Sequence, residues 1–182
     1  MIINLSPFPI LKTERLILRK LSLDDAEEIF SLRSDEEINK YLDRPKANKI
    51  DDAIEFINKV NIAIANDRSI YWVICFKNNP QLIGTICLWN LNEGENKAEV
   101  GYELLSNFQG KGIAGEALSK IIEFGLITMQ LDKIEAYTHS ENIASTNLLK
   151  KFKFVRDPQE ESKIDFTVDN PKTVVYSLLK NP

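Results

Sequence analysis

Between residues 13 and 20 the chain alternates, with Leu16 and Leu18 set against Arg15, Ile17 and Arg19, and predicts a first strand. Ser22 opens S-L-D-D, a capping-box-like start for a helix carrying Ala26, Ile29 and Phe30. Asp35 is placed to cap a short helical turn ending near Tyr41 and Leu42, and the polar stretch 43–49, with Pro45, reads as a loop. Ala53, Ile57, Val60 and Ile64 recur on one stripe and predict a second amphipathic helix. Ile70–Phe76 and residues 82–89 read as a hairpin turning at Asn78, Asn79 and Pro80. After a charged loop at 92–96, Val100, Tyr102 and Leu104 alternate with Glu99, Gly101 and Glu103 in a further strand. A glycine-bearing turn at 109–112 leads into a helix with Ala117, Leu118, Ile121 and Phe124 at helical spacing. There follow a strand at 133–138 and a helix capped by Asn142 that holds Ser145, Leu148, Leu149 and Phe152. A strand starting at Phe154, an acidic loop at 157–165 and the closing strand Thr173–Leu179 complete the chain. The order β-α-α-β-β-β-α-β-α-β-β predicts one mixed α/β (α+β) domain over residues 13–179.

Bulk properties narrow the class. A chain of 182 residues suits one domain. The net charge of −4, with a pI near 5.2, argues against nucleic acid as a partner and mildly favours a cationic one. No apolar run approaches the ~20 residues of a membrane span, and the N-terminus lacks a basic segment followed by an apolar one, so a soluble, cytoplasmic protein is expected. One histidine and two cysteines are too few for a zinc site, so no metal is expected. Cys75 and Cys87 fall in apolar strand-like runs and read as reduced core residues, and His139 reads as a surface-loop histidine.

The chemistry concentrates in residues 97–123. A strand, a Gly-rich turn and a helix N-terminus in succession aim backbone N–H groups and a helix dipole at one spot, a natural site for phosphate. The Walker pattern is absent, because Lys111 is followed by Gly112 rather than Ser or Thr. Gly110, Gly112 and Gly115 match the letters of the dinucleotide fingerprint. They lack its chain-early strand–helix–strand unit and its acidic residue, and the hairpin order ahead of them speaks against a doubly wound sheet.

Four motifs in order carry a family resemblance: L-K-T-E-R-L-I-L-R-K-L-S-L-D-D, A-E-V-G-Y-E-L, Q-G-K-G-I-A, and N-I-A-S followed by K-F-K-F. Together they resemble the GNAT superfamily of acetyl-CoA-dependent N-acetyltransferases, and within it the RimJ/RimL branch, whose best-known members acetylate N-termini of ribosomal proteins. The resemblance implies the GNAT acyl-CoA N-acyltransferase fold, a mixed central sheet splayed at a cofactor cleft and flanked by helices. It implies acetyl-CoA as acyl-donor cosubstrate. The family signature [QR]-x-x-G-x-[GA] is met by Gln109, Gly112 and Ala114. The pyrophosphate site is accordingly expected at Gln109, Gly110, Lys111, Gly112, Ile113, Ala114 and Gly115. Leu104 and Leu105 fall where the family's strand bends away to admit the pantetheine arm, and Asn142 either contacts that arm or caps its helix. The resemblance further implies Ser145 as the general acid for the leaving thiolate. Leu149 stands where many GNAT enzymes carry a tyrosine acid. Lys153 replaces the usual glycine before the strand phenylalanine, so a different local turn is expected.

Acyl transfer needs a neutral amine; an α-amino group titrates near about 7.7–8.0 and a lysine near about 10.4. Glu99 and Glu103 are the candidate bases, on one face of their strand unless a bulge intervenes, and Glu99 is favoured because it lies in A-E-V-G-Y. Tyr41, Trp89 and Asn90 are expected to shape the acceptor pocket. The expected acceptor is a primary amine, foremost a protein N-terminus; the alternatives are a polyamine, an aminoglycoside, or no acceptor at all in a non-catalytic acyl-CoA-binding protein. Acceptor choice is assigned to the loops 41–49 and 157–170, and a homodimer is one admissible assembly.

Overall fold

The computed structural model describes residues 6–165 and 170–180. Strands β1 (Leu11–Lys12) and β2 (Leu16–Lys20) lead to helices α1 (Ala26–Ser34), α2 (Glu36–Asn39) and α3 (Ile50–Ala65). Strands β3 (Ile70–Phe76), β4 (Asn79–Asn92) and β5 (Lys97–Leu104) then form a meander. Helix α4 (Ile113–Glu123), β6 (Lys133–His139), α5 (Ile143–Lys151), β7 (Val155–Arg156), α6 (Pro158–Glu161) and β8 (Thr173–Leu179) follow.

Among the described residues one sheet holds eight strands, in the order β1-β2-β3-β4-β5-β6-β8-β7. Every neighbouring pair is antiparallel except β5–β6, which is parallel. Helices cover both faces. Val100, Leu104, Ile134 and Ala136 pack with Ile113, Ala117, Leu118 and Ile121 of α4 and Leu149 of α5. On the other face Val73 and Leu82 pack with Ile29 and Leu32 of α1 and Ala53 and Ile57 of α3. Among the described residues no helix is long and apolar enough to cross a membrane.

Local chemistry explains the helix starts. The Ser22 N–H donates to the Asp25 carboxylate at 2.9 Å, and Arg19 holds that carboxylate with bonds of 2.9 and 2.6 Å. Asp35 Oδ1 accepts from the Ile38 N–H at 3.0 Å and caps α2. Differences from the sequence expectation lie at edges. The hairpin turns at residues 77–78, so Asn79 and Pro80 already belong to a 14-residue β4. The acidic stretch after Asp157 holds the short α6, whose Glu160 is buried.

The parallel seam is short. Its ladder runs from Lys97↔Lys133 to Glu99↔Glu135 and stops, while β5 continues to Leu104 and β6 to His139. Each strand stays with its other neighbour: β5 pairs with β4 as far as Gly84↔Leu104, and β6 pairs with β8 along its length. A Cβ on Gly84 would lie 2.3 Å from Leu104 Cδ2 and 2.4 Å from the Glu103 carbonyl oxygen, so glycine is what lets β4 draw the end of β5 aside. The sheet therefore splits at Glu99, earlier than the bend expected at Leu104 and Leu105; the Leu105 N–H still bonds Ile83 on β4, at 3.0 Å.

Candidate active site

Beyond the split, both strands turn backbone edges toward a gap, and unpaired N–H and C=O groups there suit an amide-bearing arm. The turn after β5 closes one end of that gap. Gly110 and Gly112 take φ of +72° and +75°, where a side chain would cost about 1–2 kcal/mol. The first intrahelical bond of α4 runs from the Glu116 N–H to the Gly112 carbonyl, 3.1 Å, so the N–H groups of Ile113, Ala114 and Gly115 belong to the open first turn. The Ile113 side chain is buried in the core, so its backbone is what it offers. Gly115 serves packing as well: a Cβ there would sit 3.4 Å from Leu148 and 3.5 Å from Phe152. Gln109 folds back, its Nε2 donating to the Leu104 carbonyl at 3.0 Å, and so holds the end of β5. Lys111 is exposed, with Nζ 5.7 Å over the Phe108 ring.

Arg15 joins this turn without any warning from local sequence. Its Nε donates to Glu116 at 2.6 Å and its terminal nitrogens to the Lys111 carbonyl at 3.3 and 3.4 Å. Glu116 also accepts from the Arg15 N–H at 2.8 Å and the Thr13 hydroxyl at 2.5 Å. These bonds latch the β1–β2 segment onto the start of α4 and bring a second cation beside Lys111. Open N–H groups, two left-handed glycines and the exposed Lys111, beside an Arg15 already paired with Glu116, fit a pyrophosphate.

The split places chemistry on both faces of the sheet. On the α4–α5 face, Tyr102 Oη and Ser145 Oγ lie 3.0 Å apart. Asn142 acts as a helix cap, its Oδ1 accepting from the Ser145 N–H at 3.1 Å. Leu149 is fully buried, so α5 supplies no tyrosine at that place. The turn after α5 does not differ as expected. Lys153 adopts φ +64°, as a glycine would, and the bonds Phe154 N–H to Leu149 and Lys153 N–H to Lys150 make a Schellman end, at 3.1 and 3.0 Å.

On the α1–α3 face lies a pocket of about 480 Å³. Its walls are Tyr41, Leu42 and Asp43, the end of β4 with Trp89 and Asn90, Glu99, residues 137–139, and Glu160, Lys163, Ile164, Asn170 and Thr173. The pairing slips between Trp89 and Asn92, and Asn90 takes φ +49°; this bulge turns both side chains toward Glu99. Burial, reinforced by the charge of Glu135, lifts the Glu99 carboxyl to about 8 against the pull of Asn90 and Trp89. Glu103 is spoken for: Arg44 bonds both its oxygens, at 2.6 and 3.3 Å, and Thr85 adds a bond at 3.3 Å. His139 is not a plain surface residue. It is half-buried, stacks on Tyr41 at 5.2 Å between ring centres, and accepts the Glu141 N–H at Nδ1, 3.2 Å. Below the pocket, Lys97 and Lys133 are each shared by Glu135 and Glu160, at 2.6–3.3 Å. Burial would raise Glu160, but bonds from Lys133, Lys163 and Lys97 overcome it and bring the carboxyl to about 2. Cys75 and Cys87 are free thiols, and burial lifts Cys87 to about 12. Among the described residues no cluster of His, Cys, Asp and Glu could hold a metal ion.

Residues 15–155 match the family model of the acetyltransferase (GNAT) domain. The uncharacterized N-acetyltransferase YoaA of Bacillus subtilis (strain 168) is 34% identical over 173 residues, covering 95% of this chain and 98% of its own. The N-acetyltransferase p20 of Bacillus licheniformis, also uncharacterized, is 36% identical over 148 residues, or 81% and 83% of the two chains. Among solved structures, RimL, a ribosomal L7/L12 α-N-protein acetyltransferase in complex with coenzyme A, aligns with a TM-score of 0.80 at 15% identity, over 94% of this chain and 98% of its own. At that identity the last likeness speaks for the fold alone.

Proposed function

The chain belongs to the GNAT family of acetyltransferases and is an acetyl-CoA-dependent N-acetyltransferase, and on that premise we propose that its acceptor is a protein N-terminal α-amino group of the ribosomal-protein type. The observation that carries this reading is the carboxyl of Glu99, lifted to about 8 at the edge of the acceptor pocket. An α-ammonium with a pKa of about 7.7–8.0 gives its proton to such a carboxylate at almost no cost, whereas a lysine ammonium at about 10.4 lies about 2.4 units, or about 3 kcal/mol, uphill. The exposed rim, with Trp89, Leu42 and Tyr137 at 48%, 41% and 37%, offers apolar surface to the residues behind an N-terminus.

In this reading the donor supplies an electrophilic thioester carbon. The turn 110–115, with Arg15 and Lys111, holds the pyrophosphate, and the edge of β5 between Glu99 and Leu104, whose last carbonyl Gln109 already bonds, holds the pantetheine. Glu99 takes the proton of the amine, directly or through water, and the Ser145 hydroxyl meets the leaving thiolate. Glu99 and Ser145 stand on opposite faces of the split, so the acceptor enters from the α1–α3 side while the thiol departs on the α4–α5 side. Tyr41, Trp89 and Asn90 bound the acceptor, and the loops 41–49 and 157–170 tune its choice.

A panel of peptides with free N-termini, N-blocked lysine peptides, polyamines and aminoglycosides, read by released CoA thiol, tests the assignment. Turnover confined to free N-termini is the expected result, and preference for the N-blocked lysine peptides would overturn it. Asp43 and Glu99 line the same pocket, a pairing that also suits a dicationic polyamine, and the panel decides between the two.

A further inference from the structure

We infer that Tyr102 is a positioning residue for departure of the thiol, acting through Ser145 from the far wall of the split sheet. The inference rests on the reading of Ser145 given above. Three observations carry it. First, Tyr102 and Ser145 meet at 3.0 Å although 43 residues separate them, one on β5 and the other on the first turn of α5. Second, the β5–β6 ladder ends at Glu99↔Glu135, so this bond bridges the two walls just where the sheet has opened. Third, Val100 and Leu104 of β5 share one core with Leu149 of α5, and Tyr102 packs against it, so the phenol stands on the sheet face that α5 covers.

Either hydroxyl can donate in this pair, and the role proposed for Tyr102 is the one in which the phenol donates. A serine hydroxyl has one proton to donate and two lone pairs to receive with, and a phenol has one proton to give. If Tyr102 donates to Ser145 Oγ, the serine proton is left free for a third partner, and its hydroxyl is polarised by the bond it receives. Burial raises Tyr102 above the ordinary tyrosine value, which keeps it protonated and so able to donate. Serine is a far weaker acid than a thiol, so Ser145 gains nothing by surrendering its proton outright. It stabilises the departing sulfur with a charge-assisted hydrogen bond instead. The electrons and protons then balance simply. The ammonium first gives one proton to Glu99, which passes it to solvent. The neutral amine nitrogen then bonds to the acyl carbon, the carbon–sulfur bond breaks with its electron pair on sulfur, and the second amine proton goes to Glu99. Both hydroxyls keep their protons, and solvent protonates the thiolate as it leaves. From Glu99 to Tyr102 is three residues of strand, about 10 Å, room for an acyl group and an amine between base and hydroxyl pair.

The test compares Tyr102→Phe, Ser145→Ala and the double variant, each checked for an unchanged melting temperature. Two readouts are taken: kcat and KM with a saturating amine, and the pKa of enzyme-bound CoA thiol, from proton release on CoA binding measured by calorimetry in buffers of differing ionisation enthalpy. Ser145→Ala is expected to raise the bound thiol pKa by about one unit, the size of one hydrogen bond to a charged group, and Tyr102→Phe to raise it by less while lowering kcat about tenfold at unchanged KM for acetyl-CoA. Because Tyr102 acts through Ser145, the double variant should be no worse than Ser145→Ala. Additive losses, or a thiol pKa that Tyr102→Phe leaves in place while Ser145→Ala moves it, would overturn the role of Tyr102 alone. If Ser145→Ala changes neither readout, the leaving-group reading of Ser145 falls and takes this inference with it.

Discussion

Arg44 holds Glu103 through both carboxylate oxygens, at 2.6 and 3.3 Å, and thereby separates the two acids of β5. Glu99 and Glu103 share a strand face, yet Glu99 lines the 480 Å³ pocket and Glu103 anchors Arg44, next to the Tyr41, Leu42 and Asp43 that also line it. Arg44 Nε also donates to Asn39 at 2.7 Å, and Asn39 is itself bonded to the Leu32 and Asp35 carbonyls. The guanidinium therefore ties β5 to the end of α2. The proposed mechanism uses the first carboxylate for proton chemistry, and the second is held in architecture.

Glu99→Gln should lower kcat by about 10²–10⁴-fold, the usual worth of a general base. The wild-type rate should climb with pH through about 8, the value to which Glu99 is raised. Stability carries the same signature. A carboxyl raised above its unfolded value contributes stability at low pH and loses it as pH rises through the folded value. The melting temperature of Glu99→Gln, relative to wild type, should accordingly improve as pH rises from about 4.5 to about 8 and level off above that. A gap that stays constant across that range would mean that Glu99 is not raised.

Glu135→Gln tests the cause of the raised value. Burial is the larger contribution and the Glu135 charge the second, so removing that charge should move the midpoint of the pH–rate profile to lower pH. The variant also strips a shared partner from Lys97 and Lys133, which acts in the same direction and costs stability. Lower melting with an unmoved midpoint would place the effect in packing rather than in Glu99.

Much of this was written locally in the sequence. The alternation around Val100, Tyr102 and Leu104, the glycine turn at 110–115 and the Asn142 cap all depend on residues within one element. What escaped depends on distance. Arg15 and Glu116 are 101 residues apart, and Tyr102 and Ser145 are 43 apart, so no window along the chain contains either pair. The aim of Trp89 and Asn90 rests on a bulge that a period-2 pattern does not register. Lys153 misled for a different reason: the Schellman bonds and the burial of Leu149 and Phe154 hold it at positive φ against its own preference.

That strain is measurable. Lys153→Gly should stabilise the protein by up to about 1 kcal/mol, the αL penalty of about 1–2 kcal/mol offset in part by the greater freedom of glycine in the unfolded chain. Chemical denaturation with an unchanged m value would report it. A loss of stability would show that the lysine side chain contributes more than its backbone costs.

Arg44→Ala should raise KM for the amine while leaving KM for acetyl-CoA unchanged, because the wall it holds, Tyr41 to Asp43, belongs to the acceptor side. Arg44→Lys should recover part of the stability and less of the KM, since a single ammonium cannot reproduce the paired bonds to Glu103 and the bond to Asn39. Equal effects on both KM values would place the pair in the fold as a whole.

The donor site gives the broadest test. A ligand that binds the folded state alone at about 100 times its Kd stabilises it by about 2.7 kcal/mol, which for a chain of this length means about 5–10 °C in melting temperature. Wild-type protein should show such a shift with acetyl-CoA, and an absent shift at about 1 mM would overturn the donor site. Gly112→Ala strains a residue at φ +75° and should weaken the shift, while Gly112→Glu adds an anion facing the pyrophosphate and should abolish it. Arg15→Ala removes one cation and the bonds to Glu116 and Lys111, and should leave a reduced shift. If Gly112→Glu keeps the full shift, the donor phosphates lie somewhere other than the turn that Gly110, Gly112 and Arg15 build.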